Sequence, residues 1–142
     1  MGKLTTKIFL FTISVFSITS CSEKNNDTDV QNDTVIINSN LYKVVKTNNY
    51  TITDVQLNGN KLTIKISSSG CSGNSWKAKL IDANEILESN PVQRNIKLSL
   101  ENNEACLAVF EKEFEFNIQI LKENFSEIIL NLDGWNSQIN YQ

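Results

Sequence analysis

Leu62, Ile64 and Ile66 alternate with Thr63, Lys65 and Ser67, and the same two-residue period returns further along the chain. It recurs at Ile96, Leu98 and Leu100, at Phe114, Phe116, Ile118 and Ile120, and at Ile128, Leu130 and Leu132. Successive side chains of an extended chain point to opposite faces, so this period gives each segment one apolar and one wet face. No segment keeps helical spacing over a comparable length. The chain is therefore constrained to build a core from strands.

The punctuation between these runs fits that reading. Asn58-Gly59-Asn60 joins residues 50–57 to residues 61–67 as a hairpin, glycine supplying the positive φ that a tight turn requires. In the first arm the apolar phase slips from Ile52 to Val55 and Leu57, which predicts a bulge near Asp54. Trp76, Ala78 and Leu80 line one face against Lys77 and Lys79. Asn90-Pro91, the polar run 101–104 and Asp133-Gly134 mark further breaks, since proline restricts the residue before it and Asp-Gly favours turns. Residues 35–37 and 41–45 read as edge strands and residues 139–141 as the last strand. Seven or eight short strands without intervening helices predict an all-β fold, an antiparallel β-sandwich of immunoglobulin-like architecture. A small β-barrel is the alternative.

The start of the chain has another character. Lys3 and Lys7 precede an apolar run from Ile8 to Ile18, the basic and hydrophobic regions of an export signal. The run is too short to span a hydrocarbon core, which takes roughly 20 residues. It ends in Ile18-Thr19-Ser20-Cys21, which resembles the lipobox cut by the bacterial lipoprotein peptidase. That resemblance implies a Cys21 that is diacylated, becomes the new N-terminus and receives a third acyl chain, an anchor far firmer than a single chain provides. Met1-Gly2 also fits an N-myristoylation pattern, but that glycine would leave with the leader. The expected organisation is a lipoprotein signal peptide over residues 1–20, a flexible polar tether over 21–33 and one β-sandwich domain over 34–142. The tether holds too little apolar surface to offset the entropy of ordering it. Acidic residues just after a lipidated cysteine resemble a surface-export signal of Bacteroidetes-type bacteria, here diluted to Glu23. Asp33-Thr34-Val35 resembles the O-glycosylation sequon of the same group. The expected address is the outer membrane, with the lipid as the membrane contact.

Charge and composition narrow the chemistry. Of the 142 residues, 122 remain after the leader is removed, enough for one modest core. The net charge of −3 becomes −5 once Lys3 and Lys7 are lost, which argues against nucleic acid as a partner. There is no histidine, so a Ser-His-Asp or Cys-His pair and a His-ligated metal or haem cannot be assembled within the chain. With Cys21 acylated, Cys71 and Cys106 remain as a pair, and an exported chain most simply joins them in a disulfide. Closing that loop stabilises the fold by roughly 3 to 4 kcal/mol in the chain-entropy model. In a sandwich the bridge could pin the two sheets together, with Trp76 packed beside it.

Few residues suggest a reaction. Glu111, Glu113 and Glu115 share one strand face and read as a solvated surface that discourages edge pairing. Asp82-Ala83-Asn84-Glu85 and Asp133-Gly134-Trp135-Asn136 place oxygens in loops, short of the six to eight ligands calcium takes and without EF-hand spacing. No metal or other cofactor is expected. Trp135, Trp76 and Tyr141 are the candidate contacts for a sugar or peptide in a groove. The motifs Gly70-Cys71-Ser72-Gly73-Asn74-Ser75-Trp76, Asn90-Pro91-Val92, Glu104-Ala105-Cys106 and Phe114-Glu115-Phe116, with the closing Ile129-Leu130-Asn131-Leu132-Asp133-Gly134-Trp135, resemble a group of small Bacteroidetes-type envelope lipoproteins. The likeness runs over roughly residues 50–141. It implies the lipid anchor and the cysteine pair, and no activity. Some members of that group place a histidine just after the first cysteine, where this chain has Ser72-Gly73-Asn74. The expectation is a non-catalytic binding or bracing protein of the cell envelope, contacting another envelope protein or a glycan.

Overall fold

The computed structural model describes Gly2 and residues 35–142, so the leader, Cys21 and the tether lie outside the described residues. Among the described residues the strands are β1 (Ile36–Ile37), β2 (Thr51–Asn58), β3 (Lys61–Gly70), β4 (Lys77–Leu87), β5 (Val92–Glu101), β6 (Ala108–Asn117), β7 (Ile128–Leu132) and β8 (Ile139–Tyr141). They form two sheets, one of five strands in the order β1-β4-β5-β7-β8 and one of three in the order β2-β3-β6. The sheets face each other as a sandwich and do not close into a barrel. Leu62, Ile64 and Ile66 from β3, Ile96, Leu98 and Leu100 from β5, Phe114 and Phe116 from β6 and Leu130 from β7 fill the space between them. Each is an in-phase apolar position of its strand, as the alternation requires.

The β2–β3 hairpin turns through Gly59 at φ 57°, and its ladder slips between Ile52 and Asp54, where the bulge was expected. Two strand pairs are parallel, β1 with β4 and β5 with β7, so the larger sheet is mixed. Strand phase shows which side chains face inward; it carries nothing about which strand lies beside which.

Two short helices interrupt the strands. Residues 41–45, expected as an edge strand, fall in and beside α1 (Ser39–Val44). Asn38 caps it, its side chain accepting from the Leu41 N–H at 2.9 Å, and its own N–H donates to the Asp82 carbonyl. The helix lies against β4, Ile81 is buried on that outer face, and Tyr42 sits under the Lys97 ammonium at 4.4 Å. The chain then reaches the three-stranded sheet past the end of β7. There Tyr50 Oη donates to the Leu98 carbonyl at 2.6 Å and Asn49 Nδ2 to the Leu100 carbonyl at 3.0 Å. These two carbonyls belong to the part of β5 that runs beyond its pairing with β7. α2 (Gln119–Lys122) ends the alternation that began at Phe114, burying Leu121 and leaving Ile120 exposed. Val35 shares a hollow with Asn117, Gln119 and Ile120 at that end of β6. Among the described residues, no helix is long and apolar enough to cross a membrane.

One polar feature penetrates the core. Arg94, the only arginine in the chain, occupies an inward position of β5 and is 2 % exposed. Its Nε and Nη2 donate to the two oxygens of the fully buried Asp82, at 3.0 and 2.8 Å. Its Nη1 reaches Glu123 at 3.1 Å. The Asn84 N–H also donates to Asp82, at 2.8 Å. Residues 82–85, expected as a loop, lie within β4, where Asp82 is tied to the arginine beside the irregularity that separates it from Ile86.

Candidate functional site

The cysteines lie where two crossing loops meet. Cys71 follows β3 directly, Cys106 stands just ahead of β6, and the two are bonded. Because Gly70 lies opposite Ala108 in the β3–β6 ladder, the bond closes the end of a ladder within one sheet. It does not pin the two sheets across the core, and the immunoglobulin parallel does not extend to it.

Glu104 sits two residues before Cys106 and folds back onto the loop after Cys71. Its Oε2 accepts the backbone N–H groups of Cys71, Ser72 and Gly73, the last two at 2.9 and 3.1 Å. Its Oε1 accepts the Ser75 hydroxyl at 2.7 Å. Successive amides aimed at one point form an anion-binding nest, and here the anion is the chain's own carboxylate. The Ser75 hydroxyl and then the amides favour the charged form, holding the Glu104 carboxyl down at about 2. Lys112, an inward residue of the edge strand β6, completes the arrangement by donating to the Gly73 and Trp76 carbonyls at 2.9 and 3.4 Å. Gly70 is required here: a Cβ on it would come within 2.5 Å of the Glu104 carboxylate and 3.0 Å of the Trp76 ring.

Beside this loop the end of the three-stranded sheet forms a hollow of about 520 Å³. Tyr50, Thr51, Ser67, Ser69 and Val109 contribute to it from or beside three strands, with Asn48, Asn49, Asn102 and Glu104 along the rim. Part of the lining is fixed by the fold. Ser68 Oγ donates to the Asn49 carbonyl at 2.7 Å, and Asn102 Nδ2 donates to the Ser69 carbonyl at 2.8 Å. Next to the hollow, Leu107 is 91 % and Val109 70 % exposed.

Against this geometry no known protein family matches the chain, and no curated protein does. Among solved structures it is similar to a protein of unknown function, DUF1344, from Bacteroides vulgatus, at 13 % identity and a TM-score of 0.49. It is also similar to a protein described as toxin-related from Parabacteroides distasonis, at 11 % identity and a TM-score of 0.46. Each alignment covers 76 % of this chain, which spans 53 % of the first protein and 58 % of the second.

The three aromatic residues read from the sequence as ligand contacts do not converge. Trp76 is 2 % exposed, its ring packed under Gly70 and Gly73, and its indole nitrogen has no hydrogen-bond partner among the described residues. Tyr141 is 1 % exposed, with its hydroxyl on the Asn60 side chain at 2.6 Å. Both are core residues and not ligand contacts: Tyr141 fills an inward position of β8, and Trp76, just ahead of β4, is folded under the glycines of the disulfide loop. Trp135 is half-buried against the core just after the Asp133-Gly134 turn, where Gly134 adopts φ 82°. Glu111 and Glu115 lie on the outer face, paired with Lys65 and Lys61 at 3.0 and 2.9 Å. Asp133 accepts the Thr47 hydroxyl at 3.1 Å.

Proposed function

We propose that this chain is a lipid-anchored, non-catalytic module of the cell envelope that binds its partner through the disulfide-bonded end of the sandwich. The observation that carries the reading is the pairing of a braced loop with unspent surface. The disulfide, the Glu104 nest and Lys112 fix the loop. Beside it lie an open polar hollow and the exposed Leu107 and Val109.

The two most heavily hydrogen-bonded carboxylates speak for binding over catalysis. A general acid or base works best with a pKa near the operating pH, whereas Glu104 is held near 2. Both oxygens of Asp82 are occupied by Arg94 in the core, out of reach of a substrate. The anchor rests on Cys21 and the leader before it, and the outer membrane is the address those motifs support.

A photo-crosslinking residue at Leu107 or Val109 in the native membrane-bound protein is expected to capture a defined species. The same residue at Lys79, on the other sheet, is expected to capture none. Equal capture at both places, or none at either, overturns the binding surface. For the anchor, Cys21→Ala is expected to abolish fatty-acid labelling and leave unprocessed precursor. Undiminished labelling of that variant refutes the anchor.

A further inference from the structure

We infer that the hollow at the disulfide-bonded end is a site for a neutral glycan, with sugar hydroxyls read by Asn48, Thr51, Ser67 and Ser69 and a ring face laid on Val109. The inference rests on the binding-module reading and names its ligand class.

Charge is the first argument. Among the residues lining the hollow there is no lysine or arginine, and the only acid is Glu104. The Glu104 oxygens are turned into the backbone nest and onto Ser75. Glu111, opposite Ser67 in the β3–β6 ladder, is paired with Lys65. An ionic ligand would find no counter-charge to offset its desolvation.

Available hydrogen-bonding groups are the second. Among the described residues, the side chains of Asn48, Thr51, Ser67 and Ser69 engage in no hydrogen bond, although they surround one hollow. Hydroxyls and side-chain amides both donate and accept, which is what a run of sugar hydroxyls requires of its site. The neighbouring side chains are already committed. Tyr50, Ser68 and Asn102 each hold a partner in the fold, so the walls are set before a ligand arrives and less ordering entropy is lost on binding.

Shape is the third. The volume of about 520 Å³ falls within the range of small-molecule sites and suits a short oligosaccharide. Val109, 70 % exposed, lies opposite Ser69 across the ladder, which sets an aliphatic surface beside hydroxyl donors. A pyranose has the same two aspects, C–H groups on its faces and hydroxyls around its rim. A peptide strand added along β6 is the less suited occupant. Lys112 points inward from that edge strand, and an inward charge opposes extension of the sheet.

The test uses the full-length protein in a detergent without a sugar head group, titrated calorimetrically. The probes are neutral oligosaccharides of glucose, mannose and N-acetylglucosamine, with oligogalacturonate as the charged counterpart and an uncharged peptide. At least one neutral series is expected to bind, with little change between low and high salt, while oligogalacturonate and the peptide do not. Thr51→Ala combined with Ser69→Ala is expected to weaken binding about tenfold with an unchanged melting temperature, from the loss of two hydrogen bonds. Trp135→Ala is expected to leave it unchanged. Failure of every neutral series, tighter binding of the charged probe or the peptide, or an unaltered affinity in the double variant overturns the glycan site. If crosslinkers at Leu107 or Val109 still capture a protein in that event, the binding-module reading survives. If they capture nothing, both fall.

Discussion

Replacing Arg94 by methionine removes the guanidinium and keeps much of its apolar stem. Asp82, with no exposed surface, then loses the donors now at 3.0 and 2.8 Å and keeps only the Asn84 N–H at 2.8 Å. Breaking a buried pair from one side costs about 3–5 kcal/mol, because a charge stays in the interior without compensation. At about 4 °C per kcal/mol for a domain of this size, the melting temperature should fall by roughly 12–20 °C. Removing both charges, as in Arg94→Met with Asp82→Leu, takes away the stranded anion, so most of the loss should be recovered. Glu123→Gln tests the outer arm of the network. Its carboxylate is 46 % exposed, and its removal should cost no more than about 1 kcal/mol. Thermal and urea melts of the parent, Arg94→Met, Asp82→Leu and the double variant give the coupling energy of the pair directly. An Arg94→Met variant within about 1 kcal/mol of the parent, or a double variant worse than Arg94→Met, would refute the claim that this pair bears on stability through desolvation.

Three further tests bear on the disulfide-bonded end. Cys71→Ser opens a loop whose ends are 35 residues apart, so the domain should lose up to about 4 kcal/mol in an oxidising urea melt. Reductant should bring the parent to the same midpoint and leave the variant unmoved. Glu104 titrates below its ordinary value of 4.5, so its share of stability is complete above that pH and is lost as pH falls from about 4.5 towards 2. Glu104→Gln should flatten that part of the acid-unfolding profile, and a profile identical to the parent's would count against the nest. Gly70→Ala puts a methyl group against the Glu104 carboxylate and the Trp76 ring, and should destabilise by about 1–3 kcal/mol in the same melts.

Much of the sandwich was legible because strand phase is written locally. The β2–β3 hairpin, its slip near Asp54 and the inward sets of β3, β5 and β6 all follow from alternation and turn chemistry. Residues 41–45 were not, since a short apolar run fits a strand or a half-covered helix equally well until Asn38 is seen to cap it. The alternation from Phe114 to Ile120 also overran its strand, which ends at Asn117 before α2 begins. The site was the least legible part. Trp76 and Tyr141 looked like contacts because large aromatics serve equally in cores and at surfaces, and only the packing of both sheets decides between them. Arg94 does leave a trace in the sequence: a lone arginine in phase with Ile96, Leu98 and Leu100 marks a charge inside the sandwich and calls for a buried acid. Glu104 left none. Its partners are backbone amides brought near by the bond between Cys71 and Cys106, and backbone amides carry no sequence signature.

The hollow that Val35 shares with Asn117 and Ile120 has a consequence for orientation. From Asn117 back along β6 to Val109, at ~3.3 Å per residue, is about 26 Å, nearly the full length of that strand. Val35 and the hydroxyls of Thr51, Ser67 and Ser69 thus stand at opposite poles of the smaller sheet, so a ligand in the upper hollow is kept clear of the place where the strand-bearing domain starts.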